Sequence, residues 1–261
     1  MKFSDGISII IPSWNNHDYL RACISSIEDN SCFKHEVVVH LNNPEKIDLD
    51  FLIEKKIKFT SSSYNVGVCK AMNIAYKLCT KNIIGYFNDD MIALPKWDSE
   101  LQNFSEEKKC DDSYILASTM IEPTGNNPCC ISPVDFGRSI SNFEYDNLLL
   151  KLEEIRQLAQ NVTGSTWPPN FISRNLWDAI DGYSEEYGAG FGSDPDLIAK
   201  AYSIGCRNFI GVGKSLVYHF QCKTTKKINS TQLQAEEIFK NKFGIEMNYF
   251  LFNIIQRGKL L

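Results

Sequence analysis

The sequence has no run of roughly 18–20 consecutive apolar residues, the length a helix needs to cross a bilayer. It has no CxxC pair. Its nine cysteines are scattered and odd in number, a pattern that fits neither a zinc module nor a small disulfide scaffold. No glycine-rich loop follows the first apolar run, where the residues read PSWNNHDY (Pro12 to Tyr19). A dinucleotide-binding GxGxxG or a phosphate loop belongs at that place and is missing. Excess positive charge is lacking too: the net charge is −5, which argues against a general polyanion binder, so no nucleic-acid partner is expected. The opening residues MKFSDG lead straight into an apolar strand without a secretory core, and the expected location is cytoplasmic.

What is present is an alternation of two patterns. With 261 residues and 43% hydrophobic content, the chain suits one large α/β domain, or one domain with a short appendage. ISIII (Ile7 to Ile11), EVVVHL (Glu36 to Leu41) and IIGYF (Ile83 to Phe87) are short β-branched runs suited to strands buried on both faces. Between them, Leu20, Ile24 and Ile27, and then Ala71, Ile74, Ala75 and Leu78, fall on single helical faces. This order predicts a mostly parallel central sheet flanked by helices. Further on, a loop is expected over 123–137 and a helix over 144–160. In such sheets ligands sit beyond the carboxyl ends of the strands, so the residues just after each strand carry the functional argument.

FNDDM (Phe87 to Met91) follows one of those strands directly. Its adjacent carboxylates, Asp89 and Asp90, are hard oxygen ligands suited to Mg²⁺ or Mn²⁺ bridging to phosphate. Asn and Asp equally favour turns and helix caps, and spacing alone leaves both readings open.

The surroundings narrow the choice. IIIPSWN (Ile9 to Asn15), YNVGVCKAMN (Tyr64 to Asn73), IIGYFNDDM, GFGSDPDL (Gly190 to Leu197) and LVYHF (Leu216 to Phe220) occur in this order. Together they resemble the family-2 glycosyltransferases over roughly residues 7 to 220. The resemblance implies a GT-A fold over residues 1–220, a C-terminal helical extension packed on it over 221–261, and a nucleoside-diphosphate sugar as donor. In that family the first strand and its proline turn hold the nucleotide; Pro12, Ser13 and Asn15 occupy the matching places. The second strand there ends in an acid that meets the base. This chain has His40-Leu41-Asn42-Asn43 instead, so Asn42 takes that place through its amide and the base stays open. Asn65, Gly67, Lys70 and Asn73 match the loop and helix beneath the donor. Lys70 would face the diphosphate, or else stand as a solvated surface lysine, while Asn73 braces the loop.

Asn88-Asp89-Asp90 matches the family's metal-binding DxD with Asn in the first place. The resemblance makes Asp90 a metal ligand, sets Asn88 and Asp89 against the donor, and brings His219 to complete a Mn²⁺ or Mg²⁺ site. GFGSDPDL carries the family's catalytic base, here Asp194, with Ser193 in place of the usual Glu and Asp196 as the second acid. The competing role for Asp194 is a helix N-cap, because Pro195 suits a first helical turn. Trp167, Asn170 and Asp196 are the acceptor-side candidates, in an aromatic stretch that runs through Trp177 and Tyr183 to Phe191.

The function so implied is an inverting, metal-dependent transfer of sugar to the hydroxyl of a glycan or a lipid-linked acceptor. Two other classes compete. A sugar-nucleotide nucleotidyltransferase needs a basic glycine loop after the first strand, which PSWNNHDY does not supply. A non-catalytic nucleotide- or carbohydrate-binding relative would explain Asn88 and Ser193. Residues 221–261 hold seven Lys or Arg and three Glu, a net of +4 that leaves −9 on the rest of a chain totalling −5. That segment either caps the domain or makes a peripheral contact with anionic lipid.

Overall fold

The computed structural model describes residues 1–188, 190–221 and 232–261. Lys223, Lys226 and Lys227 of the basic C-terminal segment lie outside them. The first strand, β1 (Ser8–Ser13), shows why the sheet sits in the middle of the molecule. Ile9 and Ile11 point into one core and Ile10 into another. In β2 (Glu36–Asn42), Val39 and Val38 divide in the same way. Alternating side chains that are apolar on both sides need a cover on each face. Helix α1 (His17–Asn30) supplies one cover through Leu20, Cys23, Ile24 and Ile27. The other comes from α3 (Val68–Tyr76) through Cys69, Met72 and Ala75. Between them the chain forms α2 (Lys46–Glu54) and β3 (Lys58–Ser62).

Next come β4 (Ile83–Tyr86), β5 (Met91–Ala93), α4 (Trp97–Lys108) and β6 (Tyr114–Ile121). They are followed by α5 (Tyr145–Leu158), β7 (Val162–Thr163), β8 (Asn170–Ser173) and α6 (Arg174–Ala179). Helix α7 (Ser193–Ser203) and strand β9 (Asn208–His219) precede α8 (Gln232–Phe243) and α9 (Met247–Tyr249). Among the described residues nine strands form one sheet in the order β3-β2-β1-β4-β8-β6-β9-β5, with β7 beside β9.

The first half of this sheet, β3 to β4, is parallel as expected. The second half is mixed. β8 lies antiparallel between β4 and β6, β5 and β7 lie antiparallel to β9, and only β6 and β9 pair in parallel. The four residues of β8 are all buried, with Ile172 opposite both Ile84 and Ile115. A short insert of this kind arrives from a loop and needs no crossover helix.

The C-terminal residues join the same interior. Ala235 and Phe239 of α8, with Phe250, Leu251 and Ile255 beyond α9, pack into the core that holds Met72 of α3 and Leu197 of α7. The last residues run beside β7: Thr163 N–H donates to the Lys259 carbonyl at 2.8 Å and Leu261 N–H to that of Asn161 at 3.0 Å. No helix among the described residues is long and apolar enough to cross a membrane.

Candidate active site

The carboxyl ends of β1 and β4 meet at Asp89. Its two oxygens accept hydrogen bonds from Ser13 Oγ (2.6 Å) and Asn16 Nδ2 (2.9 Å), all three residues being buried. Ser13 ends β1, and Asn15 turns the chain through a left-handed φ of 49°, a conformation Asn tolerates better than most residues. Pro12 is half-buried and Asn15 exposed on the same turn. Asn88 gives its backbone carbonyl to the Cys23 thiol (3.5 Å). Asp89 is thus oriented by the fold itself.

Asp90 meets His219 because of strand register. Met91, the first residue of β5, lies opposite His219, the last of β9. Phe220 N–H then donates to the Asp90 carbonyl at 3.1 Å. Across this closure His219 Nε2 stands 3.3 Å from Asp90 Oδ1, and Nδ1 stands 2.7 Å from Glu122 Oε1. Burial on its own would lower the basicity of the ring. The charges and hydrogen bonds of Asp90 and Glu122 outweigh that and hold its pKa up to about 10.

Do these residues suit a divalent cation? Two neighbouring ligands of an octahedral ion, each about 2.1 Å from it, stand about 3 Å apart. The Asp90–His219 separation is close to that edge. A carboxylate with an imidazole suits Mn²⁺ by donor type. Among the described residues no three His, Cys, Asp or Glu side chains form a complete cage. Mg²⁺-type ions complete their shells with water and substrate phosphate, so two protein ligands are enough. The donor set fits.

The residues expected at the donor are spread around these ends. Asn42 is buried, and its amide oxygen accepts from Val66 N–H (2.9 Å) and Ser62 Oγ (3.3 Å). Asn65 Oδ1 accepts from Gly67 N–H at 2.9 Å. Both amide oxygens therefore shape the loop that enters α3. Beside Asn42, His40 is fully buried between Thr60 and Ser62, and burial lowers its pKa to about 4. Lys70 is exposed on α3. Asn73 exchanges hydrogen bonds with the backbone of Tyr183, at 2.8 and 3.0 Å. It braces the loop before α7, against which Gly67 packs so closely that a β-carbon there would lie 2.1 Å from the Gly188 carbonyl oxygen.

Asp194 lies in the first turn of α7. The N-cap of that helix is Gly192, at φ 79°, so Asp194 does not cap it. Its half-buried side chain accepts a hydrogen bond from the Tyr183 hydroxyl at 3.3 Å. Burial raises the carboxyl from 3.8 to about 7, against the opposing effects of Tyr183 and the positive charge of Arg257. Tyr86, the last residue of β4, packs edge-on against Tyr183 (ring centroids 5.9 Å apart), whose hydroxyl holds Asp194, and Asp89 and Asp90 follow Tyr86 just beyond the strand. The three acids therefore gather around one strand end.

On the acceptor side, Asn170 is buried at the start of β8 and donates to Tyr183 Oη at 3.4 Å. Trp167 is half-buried, with the Arg257 guanidinium 4.2 Å above its ring. Asp196 is fully buried, held by Lys242 Nζ at 2.7 Å and Ser184 Oγ at 2.5 Å. Trp177 stacks on Tyr76 within the core.

Four contributors escaped the sequence reading or were undervalued by it: Asn16, Glu122, Tyr183 and Arg257. Glu122 directly follows β6 and would have been found had that strand been recognised. Nothing local to Arg257 points to the site.

Residues 8–127 match the family model described as glycosyl transferase family 2. An uncharacterized glycosyltransferase of Haemophilus influenzae is 26% identical over 106 residues, covering 39% of this chain and 33% of that protein. The crystal structure of S. aureus TarS superimposes with a TM-score of 0.62 at 15% identity, over 95% of this chain and 44% of the other. The mannosyltransferase PcManGT from Pyrobaculum calidifontis, in complex with GDP-Man and Mn²⁺, gives 0.57 at 13% identity over 84% and 57%. The chain thus spans a third of the curated relative it matches and under half of TarS. The first half of the chain is thus similar in sequence to glycosyl transferase family 2, and the likeness of fold to these transferases extends over nearly its whole length.

Proposed function

We propose that the chain is an inverting, metal-dependent glycosyltransferase that moves a sugar from a nucleoside-diphosphate donor to a hydroxyl of a glycan or lipid-linked acceptor. The observation that carries this reading is the gathering of Asp89, Asp90 and Asp194 around the carboxyl end of β4, with His219 beside Asp90. The PcManGT complex with GDP-Man and Mn²⁺ supports the donor class and the ion.

Asp90 and His219 would hold Mn²⁺ or Mg²⁺, which would supply positive charge against the departing diphosphate. Asp89, already fixed by Ser13 and Asn16, would present its remaining acceptor capacity to donor hydroxyls. Pro12, Asn15, Asn42, Asn65, Lys70 and Asn88 would line the nucleotide and diphosphate side. Asp194 would take the proton of the attacking hydroxyl as general base, its raised pKa matching that task near neutrality. A base and a leaving group on opposite faces of the sugar give a single displacement and an inverted product. Trp167 and Asn170 would guide the acceptor.

Incubation with a panel of nucleotide sugars and Mn²⁺ tests this. Release of nucleoside diphosphate from one donor is expected, falling on the order of 10²–10⁴-fold in Asp194→Asn and ceasing in excess chelator. Release that persists unchanged in either condition contradicts the mechanism. Binding without turnover favours the non-catalytic relative that Asn88 and Ser193 suggest.

A further inference from the structure

His219 is held at both ring nitrogens, and the two contacts differ. Nε2 looks toward Asp90 at 3.3 Å, while Nδ1 makes the shorter contact, 2.7 Å, with Glu122. Glu122 is buried on the turn after β6 and lies on the side of the ring away from Asp90. Its backbone is fixed as well: its N–H donates to the Ile131 carbonyl at 3.0 Å, and its carbonyl accepts from Val134 N–H at 2.8 Å. Two residues on, Thr124 Oγ1 donates to Gln221 Oε1 (2.5 Å) and Gln221 Nε2 donates to the Thr124 carbonyl (2.7 Å). The turn after β6 thus grips the end of β9 and the chain just beyond it at two points, His219 and Gln221.

An imidazole that binds a cation through one nitrogen must carry its proton on the other, and a carboxylate at that other nitrogen fixes both tautomer and ring plane. We propose that Glu122 is the positioning residue of the metal centre, accepting Nδ1–H of His219 so that the Nε2 lone pair faces the cation beside Asp90. This rests on the metal-dependent reading of the site. Glu122 itself does not touch the ion; it acts through the ring.

The test is Mn²⁺ binding to the full chain, followed by electron paramagnetic resonance with Mn²⁺ alone and with Mn²⁺ plus UDP or GDP. Pulsed spectra report the hyperfine coupling of a directly bound nitrogen. Glu122→Leu is expected to weaken Mn²⁺ binding roughly 10–100-fold and to reduce or shift the nitrogen coupling. Glu122→Gln, whose amide oxygen can still accept Nδ1–H but carries no charge, is expected to keep the coupling and to lose affinity severalfold, up to roughly tenfold. Near-UV circular dichroism shows that each variant is folded; should Glu122→Leu fail to fold, Glu122→Gln alone carries the test. Wild-type affinity in Glu122→Gln, or wild-type affinity and coupling in a folded Glu122→Leu, overturns the proposal. Asp90→Ala and His219→Ala separate the two levels. If neither weakens Mn²⁺ binding, the metal centre itself is wrong. If both do and the Glu122 variants do not, only the role of Glu122 falls.

Discussion

Asp194 concentrates the account at the scale of one residue. Water exclusion raises its carboxyl to about 7, while the Tyr183 hydroxyl and the Arg257 charge pull in the opposite direction. A base works only when ionised, so kcat/KM should fall as pH drops through about 7 and level off above it. Tyr183→Phe removes a hydrogen bond to the ionised form. The acidic limb should therefore move to higher pH, with the plateau rate less affected, as a pH–rate profile will show. A limb that stays in place in Tyr183→Phe contradicts the contact. The sequence pointed to Asp194 through its GFGSDPDL setting but not to its environment, because Tyr183 is eleven residues upstream and its hydroxyl reaches Asp194 only after α6 and α7 fold. Asn42 teaches a similar lesson. Its place at the end of β2 was legible, whereas the use of its oxygen to anchor Val66 depends on the register of β2 with β3.

Among elements, the junction of α7 with α8 decides whether Asp194 stays in place. Asp196, two residues further along α7, is fully buried and paired with Lys242 of α8, which is itself partly exposed. Lys242→Met leaves a carboxylate buried without its partner, a change that typically costs about 3–5 kcal/mol. The exposure of Lys242 places the expected loss at the lower end. Urea denaturation measures it, and the double variant Asp196→Leu with Lys242→Met should recover most of the stability. A single variant as stable as wild type contradicts the lock. The elements themselves were unevenly legible. β1, β2, β4 and α5 announce themselves through local periodicity. β8 has only four residues, and its identity as a strand comes from pairing with β4 and β6, which stand far away in sequence. Glycine at 192 rather than Asp194 caps α7 because the backbone there must turn left-handed.

Across the whole molecule, residues from distant segments meet around the carboxyl end of β4. Ser13 and Asn16 come from the first strand and its turn, Asp89 and Asp90 from the end of β4, Glu122 from the end of β6, Asp194 from α7 and His219 from the end of β9. Arg257 reaches Trp167 from the last residues of the chain, which are tied along β7. On the metal-dependent reading proposed above, the acidic excess of the chain outside residues 221–261 includes the carboxylates that a cation would meet here. A crystal structure with Mn²⁺ and a nucleoside diphosphate, read by anomalous scattering at the manganese edge, tests this most directly. The account predicts a single strong peak within about 2.3 Å of an Asp90 oxygen and His219 Nε2, with the diphosphate on the ion and the Asp194 carboxylate facing the space beyond it. A nucleotide bound elsewhere, or manganese bound away from Asp90 and His219, would contradict it.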